Sequence, residues 1–222
     1  MATITDFSSL KGAVVEYLAR DNDTTLIARV ATFIQLFEAK MNRTLFVPQM
    51  EKRSTTSVDT LSAEPEFVTL PTDFQTMRTI RLSGVAGKPR LQFMTPTQLE
   101  SYRYGINNVP GRPIYFSVVG NEIELAPTPN ENYELEMIYR ANIGPLSDAN
   151  TSNWLLLLAP DLYLYGTLME SAPYMKEDNR ISTWGAGYSM ALDDLNALGS
   201  RQSTDPGPTT VSLRGCTPSP TL

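Results

Sequence analysis

Histidine is absent from this chain of 222 residues, and cysteine occurs once, as Cys216. Histidine is the side chain that titrates nearest neutral pH and the commonest zinc ligand. Its absence therefore removes every Ser-His or Cys-His nucleophile arrangement and the usual zinc-binding spacings. A single cysteine excludes a framework of internal disulfides. The chain also lacks a Gly-rich phosphate-binding loop of the P-loop or dinucleotide type. We therefore expect neither a metal nor a cofactor.

Positive charge is scarce as well. The chain carries 18 Lys and Arg against 24 Asp and Glu, a formal net charge of −6. Affinity for nucleic-acid phosphates comes largely from clustered Lys and Arg, so this balance argues against a dedicated nucleic-acid binder.

Carboxylates are the catalytic groups that remain. A pair at a suitable separation could hydrolyse a glycosidic bond without histidine. Carboxylates on an exposed strand face or on the polar side of a helix are, however, ordinarily solvated groups. The candidates lie near the distal helices (Asp161, Glu170, Asp193, Asp194) and on the predicted strands (Glu122, Glu124, Glu134, Glu136).

Long apolar runs are also missing. The longest candidate, residues 154–169, has about sixteen residues, is interrupted by Pro160 and Asp161, and stops at Glu170. A bilayer core requires roughly 20 apolar residues, so we expect no membrane span. The chain begins with Thr3, Thr5 and Asp6 rather than with a basic and then apolar leader, and we expect a product of the cytoplasm.

The stretch around which the chain is organised is residues 153–198, which we interpret as a helical hairpin. Its first arm, residues 154–172, is apolar nearly all round and should lie in the middle of the fold. Pro160 suits the first turn of a helix, and Pro173 predicts that the arm ends at Ala172. The second arm has one apolar seam at helical spacing, formed by Ile181, Trp184, Tyr188, Ala191, Leu195 and Leu198.

The N-terminal residues predict a second helical hairpin. Thr5 or Asp6 can cap a first helix that runs to about Arg20, and Asp23 or Thr24 can cap the next. The apolar stripe of the first helix is Phe7, Leu10, Val14, Tyr17 and Leu18. The stripe of the second helix is Leu26, Val30, Phe33, Phe37 and Met41, widened by Ile27 and Ile34. The two hairpins could pack as a four-helix bundle.

Between the hairpins the pattern favours strands. The predicted strands are residues 53–61, 67–70, 77–82, 90–94, 114–119, 122–125 and 133–139, with a short helix over 97–103. Gly120 and Asn121 predict a hairpin turn. In the last strand Leu135, Met137 and Tyr139 alternate with glutamates, so one face should be buried and the other solvated. We expect one antiparallel β module.

The residues from 199 onward are rich in Pro, Gly, Ser and Thr and have too little apolar surface for a core. Their composition is that of a flexible, extended arm, which is either a disordered and dispensable end or a strap that orders on a partner. Val211, Ser212 and Leu213 could add a strand to a neighbouring sheet edge, with Arg214 as a polar anchor. Cys216 is expected to be a small residue of the arm rather than a reactive thiol.

The expected fold class is therefore α+β: a four-helix bundle from two hairpins, an inserted antiparallel β module and an extended C-terminal arm. The expected divisions are a helical hairpin at 1–50, the β module at 51–150, the second hairpin at 151–199 and the arm at 200–222.

Several blocks, taken in their order, resemble the head-to-tail adaptor proteins of tailed bacteriophages. The resemblance extends to about residue 200, and its specificity comes from the order of LSDAN, NWLL, PDLYLYG and AP-Y. The blocks are FIQLFEAKMNRTL, VTLPTDFQTMRTIRL, PGRPIYFSVVGNEIELAPTPNENYELEMIYRA, SDANTSNWLLLLAPDLYLYGTLMESAPYMKED and the later W-x3-Y of Trp184 and Tyr188. The C-terminal arm matches no such block.

The resemblance implies a structural protein of the virion at the head-tail interface, and no enzyme. Such proteins form a homo-oligomeric ring, typically a dodecamer, below the portal protein, extend the DNA channel and dock tail nozzle or other tail proteins. Genomic DNA would pass without sequence-specific binding, and an acidic lumen would repel its phosphates.

On this interpretation the arm residues Val211, Leu213 and Arg214 bind the portal. An all-round apolar helix would be covered partly by a neighbouring subunit. The residues expected at subunit contacts are Trp154, Leu158, Tyr163, Tyr165, Trp184 and Tyr188.

Two other functions stay open from the residues. One is a virion-associated peptidoglycan glycosidase that uses a carboxylate pair. The other is a tail completion or terminator protein that binds below the adaptor rather than to the portal.

Overall fold

The computed structural model describes residues 3–20, 22–175 and 180–202, and it confirms the α+β class. The helices are α1 (Phe7–Leu18), α2 (Thr24–Thr44), a short 3₁₀ helix (Pro48–Met50), α3 (Pro96–Gly105), α4 (Trp154–Leu158), α5 (Pro160–Met175) and α6 (Ile181–Gln202). The strands are β1 (Glu51–Ser57), β2 (Phe67–Thr69), β3 (Phe74–Leu82), β4 (Gln92–Phe93), β5 (Tyr115–Val119), β6 (Glu122–Ala126) and β7 (Glu134–Ala141).

Aspartate side chains begin the first two helices. Asp6 accepts a hydrogen bond from the Ser9 backbone N–H at 2.7 Å, and the Ser9 side chain accepts from the Asp6 backbone, which forms a capping box. Asp23 caps α2 through the Leu26 N–H at 3.0 Å. The carboxylate of a short side chain can accept hydrogen bonds from these otherwise unpaired N–H groups, so each of the two helices begins where the sequence predicts.

The predicted apolar stripes of α1 and α2 are buried apart from Tyr17, which is half-buried. Ile27 is an exception, because its side chain lies on the outer side of α2 and is 43% exposed. The prediction that Ile27 widens the stripe is therefore wrong.

The first arm of the C-terminal hairpin is two helices rather than one. α4 ends at Leu158, and Ala159 takes a non-helical conformation (φ −137°, ψ 69°) before Pro160 begins α5. The residue before a proline is sterically disfavoured in the helical region, which explains the break. Pro160 is confirmed as an N-terminal helical residue.

The same proline argument gave a wrong end for this arm. Instead of ending at Ala172, α5 continues through Pro173 to Met175. Ser171 and Ala172 are buried, and the ring of Tyr174 lies 5.7 Å from that of Phe33 on α2. This packing outweighs the local preference of Ala172 for a non-helical conformation. The cost in helix stability is small because only two helical residues follow the proline.

The seam of the second arm is confirmed. Trp184, Ala191 and Leu195 of α6 are buried, and Asp193 and Asp194 are exposed. The other members of the seam (Ile181, Tyr188, Leu198) are half-buried.

α5 lies at the centre of the helical core, as its all-round apolar character predicts. It packs against α1, α2, α4 and α6, and both Tyr163 and Leu168 are fully buried. At Gly166 the helix approaches α2 so closely that an added Cβ would overlap the Phe37 ring. The chain's own helices therefore hide this helix. The long helices share one apolar core, and their description as a four-helix bundle stays a prediction.

The middle of the chain forms two sheets rather than one. The first has the order β1-β7-β3 and is antiparallel, and the second has the order β2-β6-β5-β4. In the second sheet β4 pairs with β5 in parallel, so the expectation of a wholly antiparallel module is wrong there. A second apolar core lies among these strands and includes Ile80, Leu82, Ile123, Leu125, Leu135 and Met137.

The β5–β6 hairpin has the predicted two-residue turn. Val119 pairs with Glu122, which leaves Gly120 and Asn121 as the loop. Gly120 has a φ of +62°, a conformation that glycine adopts without steric cost.

β7 departs from the expected division into a buried and a solvated face. Leu135, Met137 and Tyr139 are buried as predicted, but so are Glu136 and Arg140 on the opposite face. β7 is the central strand of its sheet, and side chains from β1 and β3 cover the glutamate. The prediction of a solvated face is wrong at Glu136, whereas Arg140 lies just beyond the predicted strand, which ended at Tyr139.

Candidate assembly surfaces

The segment between β7 and α4, residues 142–153, joins the strands to the C-terminal helices and is held against α2. The Ile143 N–H donates to Asn42 Oδ1 at 2.7 Å, and the Leu146 N–H donates to Glu38 Oε1 at 2.9 Å. These bonds tie the connecting segment to a helix from the other end of the chain.

Glu38, Tyr163 and Asn153 continue this contact as a buried polar cluster. The Tyr163 hydroxyl donates to Glu38 Oε1 at 2.9 Å and accepts from Asn153 Nδ2 at 2.7 Å. Asn153 also donates to the Gly144 carbonyl oxygen at 2.8 Å, and its Oδ1 accepts from the Leu156 N–H to cap α4. Burial raises the pKa of the Glu38 carboxyl and of the Tyr163 hydroxyl. The cluster therefore fixes where α4 begins.

The sequence carried a signal for Glu38 that our interpretation missed. Glu38 falls within the apolar stripe of α2, directly after Phe37 and three residues before Met41, where a charged side chain must find buried partners.

α4 presents two sides. Leu155 and Leu156 are buried in the helical core, whereas Leu157 and Leu158 are 65% and 44% exposed. Trp154, Leu157 and Leu158 are spaced by three and four residues, so they share one helix face, and Trp154 is half-buried. We call Trp154, Leu157 and Leu158 the α4 face. It is an exposed apolar surface on a helix that the buried polar cluster holds in place.

The six residues expected at subunit contacts divide by exposure. Tyr163 is fully buried and Trp184 is 4% exposed, so neither side chain offers surface to another subunit in this fold. Leu158 and Trp154 belong to the α4 face. Tyr165 and Tyr188 are half-buried at the edge of the helical core.

The strand region also exposes large apolar side chains. Leu61, in the loop after β1, is 92% exposed, and Phe46, between α2 and the 3₁₀ helix, is 75% exposed. The others on this part of the chain include Phe93, Tyr104 and Val109. Scattered apolar residues are normal on a protein surface, so only those with a defined setting carry an argument.

A family model described as SU10 adaptor protein matches residues 5–212. The chain belongs to this family. No curated protein matched the chain. The chain is thus a structural adaptor protein of a bacteriophage and a component of the virion, and its family implies interaction with portal and tail proteins. The resemblance to head-to-tail adaptors is confirmed.

Several carboxylates of this adaptor that a glycosidase could use lie in ion pairs. Glu124 Oε1 lies 2.8 Å from Arg103 Nη1, and Glu170 Oε1 lies 3.2 Å from Lys40 Nζ. Glu136 Oε1 accepts from Arg81 Nη2 and lies 2.7 Å from Arg53 Nε. The hydrogen bond from Arg81 is the main cause that lowers the pKa of Glu136. These groups stabilise strands and helices of the subunit.

Within residues 3–20, 22–175 and 180–202, no group of three or more Cys, Asp or Glu could hold a metal ion. In that same part of the chain, no helix of the adaptor combines the length and the apolar character that a bilayer crossing needs. The expected portal-binding residues Val211, Leu213 and Arg214 lie outside the described residues.

Proposed function

We propose that this adaptor assembles as a homo-oligomeric ring, a dodecamer, below the portal protein. The ring extends the DNA channel and presents a docking surface for nozzle or other tail proteins. The α4 face is the observation that carries the proposal, because it places the exposed side chains of Leu157 and Leu158 beside the half-buried Trp154 on one side of a short helix. Unlike α5, which the subunit itself hides, this face offers apolar area that a second copy would remove from water.

The net charge of the chain supports the proposed role as a channel for DNA. A net charge of −6 gives an acidic surface that repels DNA phosphates, so DNA could move through the ring without being held. No chemical reaction belongs to this function, and the ion-paired carboxylates remain structural.

The C-terminal arm has a separate proposed role. Val211, Leu213 and Arg214 contact the portal, with the alternating residues added to a sheet edge of that protein. A truncation of residues 203–222 leaves α6 intact and should weaken binding to isolated portal rings in a sedimentation assay. Undiminished binding would contradict the arm's role.

The ring itself is tested by adding the adaptor to portal rings and counting bound copies by native mass spectrometry or cryo-electron microscopy. Wild type should add twelve copies, whereas a double variant, Leu157→Ser with Leu158→Ser, should lose most of the bound mass. Leu36→Ser is the matched control, because Leu36 is 49% exposed on α2 and outside the α4 face. Full occupancy by the double variant would refute the assignment, and binding to tail proteins without binding to portal rings would favour a tail completion protein.

A further inference from the structure

A cavity of about 620 Å³ lies where the end of α6 meets the first sheet and the link between α2 and β1. Its walls include Phe46 and Pro48 from the link, Glu51, Arg78 and Arg140 from the strands, and Ser200 from α6. Both apolar and charged side chains thus face the same space.

Arg140 is the unusual member of this cavity. Its side chain is on the central strand β7 and only 7% exposed. Nε and Nη2 are buried without a hydrogen-bond partner, and none of the ion pairs among the described residues involves Arg140. Its neighbour across the β1–β7 ladder, Glu51, pairs instead with Arg78 at 2.9 Å. Burial lowers the pKa of Arg140.

Among the described residues, the guanidinium makes a cation–π contact with an aromatic ring. Arg140 Cζ lies 3.6 Å from the centroid of Phe46, whose side chain is 75% exposed. A buried arginine beside an exposed aromatic residue has the composition of an interface hot spot. A carboxylate that entered the cavity would give the guanidinium the partner that it lacks, because the two groups have matching fork geometries.

The same chain carries a complementary group at the other end of β1. The loop of residues 58–66 exposes Leu61 by 92% and also exposes Glu64, which has no ion pair with any described residue. The carboxylate of Asp59 in this loop already has a hydrogen-bond partner, because its Oδ1 accepts from the Leu61 N–H at 2.9 Å. The loop therefore offers one apolar side chain and one unpaired carboxylate.

A subunit cannot fill its own cavity with this loop. Glu51 and Arg140 mark one end of β1, and the loop follows Ser57 at the other, so seven strand residues separate them by about 20 Å. Thr60 keeps the loop at that end of the strand. Its N–H and its hydroxyl both donate to Asn132 Oδ1, at 3.0 Å and 2.7 Å. Complementary surfaces at opposite ends of one subunit produce head-to-tail contacts, which close into rings when the rotation allows.

We propose that the cavity at Arg140 is a carboxylate-binding site and that the loop of residues 58–66 of a neighbouring copy fills it. Glu64 of that copy pairs with Arg140, and its Leu61 packs on Phe46. This assignment rests on the proposed ring and adds one of its contacts.

The first test uses the free subunit. Arg140→Met keeps the length of the side chain and removes an unpaired buried charge, so the melting temperature should rise by about 2–4 °C. A guanidinium that served only to stabilise the subunit would give a fall in melting temperature. A fall would overturn the assignment.

The second test measures assembly on portal rings. Arg140→Met, Glu64→Gln and Leu61→Ser should each weaken incorporation by about thirtyfold or more, because each leaves a buried partner unsatisfied or removes the apolar anchor. Asp59→Asn, in the same loop, is the matched control and should assemble as wild type does. An effect of Arg140→Met alone would overturn the loop as the occupant in favour of a carboxylate on the portal or a tail protein.

A cross-link provides a direct readout. In a Cys216→Ser background, Leu61→Cys and Asn196→Cys subunits are mixed on portal rings and oxidised, since Asn196 also lines the cavity. A covalent dimer should form only in the mixture, and Leu61→Cys with Met190→Cys should give none. Rings that form without this dimer would refute the site and leave the ring intact, whereas the absence of wild-type rings would refute the proposed function itself.

Discussion

The helical part and the strand part of this adaptor are stabilised in different ways. The helical core brings the N-terminal and C-terminal helices together around α5 and is almost wholly apolar, and its buried polar residues in the described part of the chain are Glu38, Thr167 and Ser171. The strand part buries charged groups, among them Glu124, Glu136 and Arg140. Close packing should therefore govern the first part, and pairing of charges across strands should govern the second. Four experiments test this difference, from the largest expected effect to the smallest.

Removal of a central ring should reveal the packing of the helical core most clearly. Phe37 is fully buried and lies with its ring 4.9 Å from that of Tyr163. Phe37→Ala should lower the free energy of unfolding by about 3–5 kcal/mol, because a large cavity would remain. Urea denaturation measures the loss. Phe93→Ala, at a position 62% exposed in the strand part, should cost less than about 1 kcal/mol. Equal losses would contradict the comparison.

Addition of a methyl group at Gly166 tests the same packing in the other direction. A Cβ there would overlap the Phe37 ring, so Gly166→Ala should destabilise the protein by about 1–3 kcal/mol in denaturant titrations. Gly12→Ala on α1 is the control, because nothing lies within 4 Å of an added Cβ. It should stabilise by about 0.5–1 kcal/mol through helix propensity. The two substitutions should therefore have opposite signs, and the same sign for both would show that α2 and α5 are not closely packed.

The two parts should also respond oppositely to pH at one glutamate each. Burial raises the pKa of Glu38 above its ordinary value of 4.5, so its contribution to stability is full below that pH and is lost as pH rises through the folded pKa. Arg81 lowers the pKa of Glu136 below 4.5, so the contribution of Glu136 is present above that value and is lost as pH falls.

Glu38→Gln should therefore flatten the decline in unfolding free energy on the alkaline side of 4.5, and Glu136→Gln should flatten the decline on the acid side. Urea titrations from about pH 3 to about pH 8 measure both slopes. Unchanged slopes in either variant would show that the carboxyl concerned does not contribute in this way.

The smallest effect is expected at the surface. Lys11 Nζ lies 3.2 Å from Asp148 Oδ1, whose side chain is 92% exposed, so α1 and the segment before α4 are joined by a solvated ion pair. Asp148→Asn should change the free energy of unfolding by less than about 0.5 kcal/mol, and salt should reduce the change further. A loss of several times that size would show that charge also governs the helical part.

The helices were predictable in most respects because their signals are local. The caps at Asp6 and Asp23, the stripe through Phe37 and the seam through Trp184 all depend on residues within a few turns of one another. Family membership was predictable from the order of the sequence blocks, although each block alone is a weak signal.

The exposure of the apolar residues was less predictable. Tyr163 and Trp184 were expected at subunit contacts, yet both are buried within the subunit, Tyr163 against Phe37 of α2 and Trp184 on α6, which packs against α5. Leu157, which was not singled out, is exposed beside Leu158. The break at Ala159 makes α4 a separate helix, so its exposed side is not a continuation of the surface of α5. The apolar character of a residue does not by itself indicate whether its side chain is buried within its own subunit or left exposed.

The sequence by itself determined the α+β class, the two regions of helix, the places where helices begin and the adaptor family, because these follow from residue spacing and local hydrogen bonding. Only the tertiary structure decided the division of the strands into two sheets, the continuation of α5 through Pro173 and the burial of Arg140 without an ion pair among the described residues. The physical reason is that burial and charge compensation depend on groups brought together from distant parts of the chain, and no local pattern records them.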